Sequence, residues 1–155
     1  LKDSKKISKK NLNILEKYIK KNSHWSIGSA SLKEIEKLNI LNASLLAMKR
    51  AVKKLKKKPK LVLVDGNKTP KIKNYNLKYV IKGDQKIPEI SAASIIAKVS
   101  RDRLISKMSK KYEGYLWNKN AGYGTKDHLS AIKKYGITKH HRRKFKPIHN
   151  ILSLK

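Results

Sequence analysis

The sequence contains no cysteine, few aromatic and acidic residues, and no long apolar run. Without cysteine, disulfide bonds, thiolate zinc sites and cysteine nucleophiles are all excluded. No apolar stretch approaches the roughly 20 residues that a helix needs to cross a bilayer, and no signal-peptide pattern is visible. We therefore expect a folded cytoplasmic protein with no membrane association.

Acidic side chains are scarce. The sequence has 40 Lys and Arg but only 10 Asp and Glu, which gives a formal net charge of +30. A field of this strength attracts polyanions and makes their binding strongly dependent on salt. Nucleic acid is therefore the expected partner. Charge alone would also fit a ribosomal protein or a membrane-surface binder, so it defines the partner class and not the activity.

The 155 residues are enough for one domain, and predicted strands alternate with predicted helices in the manner of an α/β fold. The first expected helix covers about residues 9–21, with Ser8 as its N-cap. A second begins at the capping box "SLKE" and breaks near Asn39, and a longer helix then continues to Leu55. Two more are expected at residues 88–111 and 125–134. The expected strands cover residues 24–30, 61–64 and 77–81.

The run "LVLVDGN" at residues 61–67 places a carboxylate at the end of the most apolar strand. Four consecutive apolar residues predict a strand that is covered on both faces. Asp65 then lies at the carboxyl end of that strand, where α/β folds bind ligands. The alternative is an ordinary turn, because Asp-Gly is a common turn pair, and the local sequence alone slightly favours this alternative.

A second carboxylate, Asp102, lies on the narrow polar side of the long predicted helix. It is either one half of a surface pair with Lys98, four residues earlier, or a group that faces a cleft. Asp65 and Asp102 together could bind a divalent metal ion. In a basic protein that grips nucleic acid, such a pair suggests metal-assisted phosphodiester hydrolysis.

Several motifs occur in a specific order along the chain. These are "DSKKIS", "WSIGSA", "LVLVDGN", "KGDQKIPEISAASIIAKVSRDR", "NAGYGTKDHLSAIKKYGIT" and "HHRRKF". Each is weak alone, but the ordered set resembles the bacterial form of ribonuclease HII, the type 2 ribonuclease H, over nearly the whole chain.

The resemblance implies a single ribonuclease H-like domain over residues 1–155, with a mixed sheet flanked by helices and a basic, helical, substrate-binding extension at 112–155. It also implies a monomeric endonuclease that depends on Mg or Mn. Such an enzyme cuts the RNA strand of RNA–DNA hybrids and cuts duplex DNA at embedded ribonucleotides, leaving 3′-hydroxyl and 5′-phosphate ends.

The resemblance also assigns residues to roles. Asp65 and Asp102 match two of four carboxylates that hold divalent ions, which activate water and stabilise the leaving oxygen. Lys5 matches a lysine near the substrate phosphates, and Tyr123 matches a tyrosine that stacks at the ribonucleotide–deoxynucleotide junction. Without the resemblance, a solvated lysine and a loop aromatic would be the preferred interpretations of Lys5 and Tyr123.

The sequence departs from the family pattern at its start. The other two carboxylates form an adjacent Asp-Glu pair that a Gly-Arg-Gly turn follows, and the sequence contains neither. That segment, with the opening strands of the sheet, would precede Leu1, so we expect a partial sequence of a longer enzyme. With two carboxylates, we expect the 155 residues alone to have little cleavage activity and marginal stability.

The main alternative function is a non-catalytic, basic nucleic-acid-binding remnant of such an enzyme, and a ribosomal protein is a weaker alternative. The sequence leaves the roles of Asp84, His128 and the cluster His140 to Arg143 open.

Overall fold

A computed structural model describes residues 7–153 as a mixture of helices and a small parallel sheet. This confirms the predicted α/β class. The elements are α1 (Lys9–Asn22), α2 (Leu32–Lys54), β1 (Val62–Asp65), β2 (Leu77–Val80), α3 (Gly83–Lys86), α4 (Pro88–Ser109), α5 (Trp117–Asn120), α6 (Lys126–Tyr135) and α7 (Lys146–Ser153).

Residue contacts divide the chain into two compact units, and the division falls inside α4. The first unit ends at Val99 and the second begins at Ser100. No helix within residues 7–153 combines the length and the apolar character needed to cross a membrane.

Helix α1 begins where the sequence predicts it, because the Ser8 hydroxyl accepts a hydrogen bond from the amide of Asn11 at 3.3 Å. This contact satisfies one of the amides that a helix start leaves unpaired. One face of the helix carries Leu12, which is buried in a cluster with Ile95 and Val99 of α4. This cluster is a hydrophobic core of the first unit.

Helix α2 confirms both the capping box and the break. The Ser31 hydroxyl accepts from the Glu34 amide, and the Glu34 carboxylate accepts from the Ser31 amide at 2.8 Å. Asn39 has φ 66°, which kinks the helix, and its side-chain oxygen accepts from the Asn42 amide at 3.1 Å. Asn39 therefore acts as the N-cap of the second half of the helix.

The strand predicted at residues 24–30 is wrong, because this segment forms neither a helix nor a strand with any other part of residues 7–153. Gly28 lies directly on α2, where an added Cβ would come within 2.5 Å of the Ala51 amide nitrogen. The Ser29 carbonyl accepts from the Arg50 guanidinium at 2.8 Å. The alternating residues therefore pack on helix α2. Side chains of α2 donate hydrogen bonds to backbone carbonyls that a neighbouring strand would otherwise pair.

Strands β1 and β2 run parallel, with Val62 opposite Leu77 and Asp65 opposite Val80. Burial of β1 on both faces was expected and is wrong for the described residues, since Val64 alone is buried and its two preceding neighbours are half-buried. Within residues 7–153 the sheet has only these two strands.

The second unit has an aromatic core. Its buried residues are Tyr115, Trp117, Ala131, Ile132 and Ile148. The predicted helix after Thr125 is confirmed as α6, since the Thr125 hydroxyl accepts from the His128 amide at 3.3 Å. The short helices α3 and α5 were not predicted, because four residues are too few to show a helical period. Helix α7 was not predicted either, because its eight residues lie in a segment that was interpreted as a basic tail.

Candidate active site

Asp65 is the last residue of β1, and its carboxylate is exposed. The chain bends away at Gly66, whose φ of 111° suits glycine, and the Gly66 amide donates to the Val80 carbonyl at 3.0 Å. The turn interpretation and the ligand-site interpretation of this pair are therefore compatible. The bend ends the strand and leaves the Asp65 carboxylate at the carboxyl end of β1.

One oxygen of Asp65 accepts a hydrogen bond from the Gly83 amide at 2.8 Å. Gly83 is buried at the start of α3, and a Cβ there would lie 2.6 Å from the Ile90 side chain and 3.5 Å from the same Asp65 oxygen. An added methyl group would press against the end of the Ile90 side chain, so glycine suits the close packing at this point. The hydrogen bond from the Gly83 amide links the Asp65 side chain of β1 to α3.

A groove in the first unit carries positive charge. It has a volume of about 590 Å³ and is lined by residues of α2, by Tyr79 and by the segment that follows Gly66. Three of its lining residues are lysines: Lys49, Lys68 and Lys71. Lysines in a concave surface increase the local concentration of phosphate groups.

Asp102 lies on the part of α4 that belongs to the second unit, and its side chain is 25% exposed. Asp102 forms an ion pair with the Arg101 guanidinium, which lies 3.5 Å from one carboxylate oxygen. Asp65 and Asp102 thus belong to different units.

Tyr123 lies in the loop that precedes α6, and its ring is 58% exposed. The guanidinium of Arg101 lies over this ring at 5.0 Å from its centre and donates to the Ala121 carbonyl at 2.9 Å. Arg101 therefore contacts both Asp102 and the Tyr123 loop. The second unit places these two predicted site residues around one guanidinium, which the sequence analysis did not predict.

Two buried histidines lie beneath the Tyr123 loop. His128 Nδ1 lies 2.8 Å from the Tyr123 carbonyl oxygen, and His128 Nε2 accepts from the Trp117 indole at 2.9 Å. His141 Nε2 lies 3.2 Å from His128 Nε2. Burial, followed by the neighbouring His128, lowers the pKa of His141 from 6.5 to about 4.

The part of the chain that the structure describes lacks any group of three or more His, Asp or Glu residues that could hold a metal ion. Lys5, for which a phosphate contact was predicted, lies outside the described residues. Asp84 lies half-buried in α3, and His140 is exposed.

Comparison with known proteins identifies the class. The family model described as Ribonuclease HII matches residues 1–148. A ribonuclease HII from Pelagibacter ubique is 68% identical over 152 residues, which are 98% of this chain and 82% of the relative. One from Borreliella burgdorferi is 53% identical over 148 residues, covering 96% of this chain and 82% of the relative.

The fold comparison agrees. The crystal structure of ribonuclease H2 from Pyrococcus horikoshii superposes with a TM-score of 0.80 at 25% sequence identity, covering 98% of this chain and 80% of that one. The fold and sequence therefore define a nuclease of the ribonuclease H type. More specifically, the chain belongs to the ribonuclease HII family, as its motifs predicted.

Proposed function

We propose that this protein is an endonuclease that hydrolyses the RNA strand of RNA–DNA hybrids and cuts duplex DNA at embedded ribonucleotides. The products would be 3′-hydroxyl and 5′-phosphate ends. The observation that carries this proposal is the exposed Asp65 carboxylate at the mouth of β1, fixed by the Gly83 amide, in a chain of the ribonuclease HII family. Active groups of α/β folds lie at such strand ends.

Asp65 and Asp102 are the proposed metal ligands, and Mg or Mn is the proposed ion. Carboxylate oxygens are the hard ligands that these ions prefer, and a bound ion would activate water for attack on the phosphodiester. The Gly83 contact supports the role of Asp65, because it orients the carboxylate through one oxygen. Lys5 is proposed to contact a substrate phosphate.

Tyr123 is the proposed recognition residue. Its exposed ring offers an apolar face on which a sugar or base at the ribonucleotide junction could stack. Arg101 lies over the ring, which restricts its orientation. The exposed Tyr123 ring and, separately, the lysine-lined groove of the first unit both support the proposal of a nucleic-acid substrate.

Within residues 7–153, no group of three or more His, Asp or Glu residues could hold a metal ion. We therefore propose that a polypeptide of these 155 residues alone cleaves poorly, since Asp65 and Asp102 do not complete the ligand set of two ions. We also propose that the protein acts as a monomer in the cytoplasm.

The second candidate is a basic protein that binds nucleic acid without cleaving it. The net charge of +30 and the lack of a three-ligand cluster within the described residues favour it. Both candidates predict salt-dependent binding, so binding alone cannot separate them.

Metal dependence separates the two candidates. We expect Mg²⁺ to strengthen the binding of the 155-residue protein to an RNA–DNA hybrid, and we expect Asp65→Asn to abolish this gain. The matched control is Asp127→Asn, which neutralises an exposed acid in the first turn of α6 and should preserve the Mg²⁺ effect. Binding that neither Mg²⁺ nor Asp65→Asn changes would favour the non-catalytic protein.

Cleavage is measured on the same samples. In a single-turnover assay on a duplex with one embedded ribonucleotide, we expect little product from the 155-residue protein with Mg²⁺ or Mn²⁺. Rapid, metal-dependent cleavage that Asp65→Asn abolishes would support the endonuclease and overturn the proposed weakness of this polypeptide.

A further inference from the structure

The buried histidine pair has a defined proton arrangement. The Trp117 indole and the Thr138 amide can only donate hydrogen bonds. Trp117 donates to His128 Nε2, and Thr138 donates to His141 Nδ1 at 2.9 Å. In the neutral rings, the remaining protons therefore lie on His128 Nδ1 and His141 Nε2.

Both of these protons face acceptors. The Nε2 proton of His141 points to His128 Nε2 at 3.2 Å, where it shares the single lone pair with the Trp117 indole, and the Nδ1 proton of His128 points to the Tyr123 carbonyl at 2.8 Å. Every nitrogen of the two rings thus has a partner, as buried polar groups require. The chain of hydrogen bonds runs from Thr138 to the backbone of Tyr123.

The Tyr123 loop is anchored at its backbone while its ring stays outside. The Tyr123 amide donates to the Asn120 carbonyl at 2.9 Å, and the Tyr123 carbonyl also accepts from the Thr125 amide at 2.9 Å. The turn is made by Ala121 and Gly122, with φ of 49° and 75°. A loop fixed in this way loses little conformational entropy when a ligand stacks on its ring.

We propose that His128 is a positioning residue, which donates from Nδ1 to the Tyr123 carbonyl and so holds the Tyr123 ring ready to stack at the substrate junction. Trp117 and His141 set the tautomer of His128 by occupying its Nε2. This inference rests on the proposed recognition role of Tyr123. His128 itself is buried and need not touch the substrate.

The tautomer is tested first in the unaltered full chain. Long-range ¹H–¹⁵N NMR spectra at neutral pH should show His128 with a protonated Nδ1 and a bare Nε2, and His141 with the opposite arrangement. A protonated Nε2 on a neutral His128 would overturn the proposal, because that ring could not donate to Tyr123.

Two substitutions separate positioning from stability. The side-chain amide nitrogen of His128→Asn can take the place of Nδ1 and still donate to Tyr123, but this variant leaves the Trp117 indole without its acceptor. His128→Gln instead places an acceptor near the Nε2 position and loses the donor to Tyr123. His149→Gln and His149→Asn are controls on an exposed histidine of α7.

The functional readout is the ratio of affinities for a duplex with one ribonucleotide and the same duplex made of DNA alone. We expect His128→Gln to lower this ratio several-fold, close to the value of Tyr123→Ala. His128→Asn should keep the ratio but lower the melting temperature. Equal ratios for His128→Gln and the unaltered protein, beside a reduced ratio for Tyr123→Ala, would refute positioning and leave the recognition role intact.

A ratio that Tyr123→Ala leaves unchanged would refute the recognition role itself, and the positioning proposal with it. A ratio that falls equally in His128→Asn and His128→Gln would assign His128 a purely structural role.

Discussion

Asp65 and Tyr123 are supported in different ways. Asp65 ends strand β1, which pairs with β2, and the described contact that orients its carboxylate is one hydrogen bond from Gly83. Tyr123 lies in a loop, yet its backbone rests on a buried network of His128, His141 and Trp117. A strand end is already a rigid support, whereas a loop needs long-range contacts to become one.

The largest expected effect is in the core beneath the loop. Ile132→Ala should lower the free energy of unfolding by about 2–5 kcal/mol, because Ile132 is 1% exposed and its truncation leaves a cavity. Leu104→Ala is the matched control, since Leu104 is 59% exposed and should change stability by less than about 0.5 kcal/mol. Denaturant titration measures both, and similar losses would show that this core is loosely packed.

In the first unit, stability should depend most on the close approach of the Gly28 backbone to the backbone of α2. Gly28→Ala should lower the free energy of unfolding by about 1–3 kcal/mol, because its Cβ would clash with the Ala47 carbonyl oxygen. Gly124→Ala is the control, since no atom lies within 4 Å of the added methyl. Equal unfolding midpoints for the two variants would contradict the close packing of residues 24–30 on α2.

A pH-dependent effect is expected from His141. Its pKa is about 4 in the folded protein and near 6.5 when unfolded, so unfolding takes up a proton as the pH falls through this range. The stabilisation is therefore complete above pH 6.5 and is lost progressively towards pH 4. The titratable groups that face the ring are His128, His140 and Tyr115.

The measurement compares melting temperatures of the unaltered protein and His141→Gln. Their difference should shrink as the pH is lowered from 6.5 to 4, while the difference for His149→Gln stays constant. A constant difference for His141→Gln would show that His141 does not remain neutral in the fold.

The smallest effect is expected at a partly exposed ion pair of the first unit. Arg50 holds Glu34 through two hydrogen bonds of 2.9 and 2.6 Å, and with the Ser31 amide it lowers the Glu34 pKa to about 2. The ionised Glu34 carboxylate therefore stabilises the fold above pH 4.5, and this stabilisation is lost as the pH falls towards 2. Glu34→Gln should lower the melting temperature slightly at neutral pH, and less at high salt. A loss that salt does not change would point to the helix cap instead.

Local signals in the sequence were enough to predict several elements. The Ser8 cap, the Ser31–Glu34 capping box and the break at Asn39 each depend on residues within four positions of one another. The position of Asp65 was predictable for the same reason, because an apolar run directly precedes it. Its roles in metal binding and catalysis stay predictions.

Contacts between distant residues were not predictable. Residues 24–30 show strand-like alternation, but Arg50 and the close approach of Gly28 to α2 bind them to a helix. Arg101 meets Ala121 across 20 positions, and His128 meets His141 across 13. The one sequence signal for the histidine pair was that His128 shares the apolar face of α6 with Ile132.

The central claim is that Asp65 binds the metal ion, and titration with Mn²⁺ followed by NMR tests it most directly. Paramagnetic broadening should appear first at the amides of Gly66 and Gly83, which adjoin the Asp65 carboxylate, and should disappear there in Asp65→Asn. Broadening that begins around Asp127, or that Asp65→Asn leaves unchanged at Gly66 and Gly83, would contradict the claim.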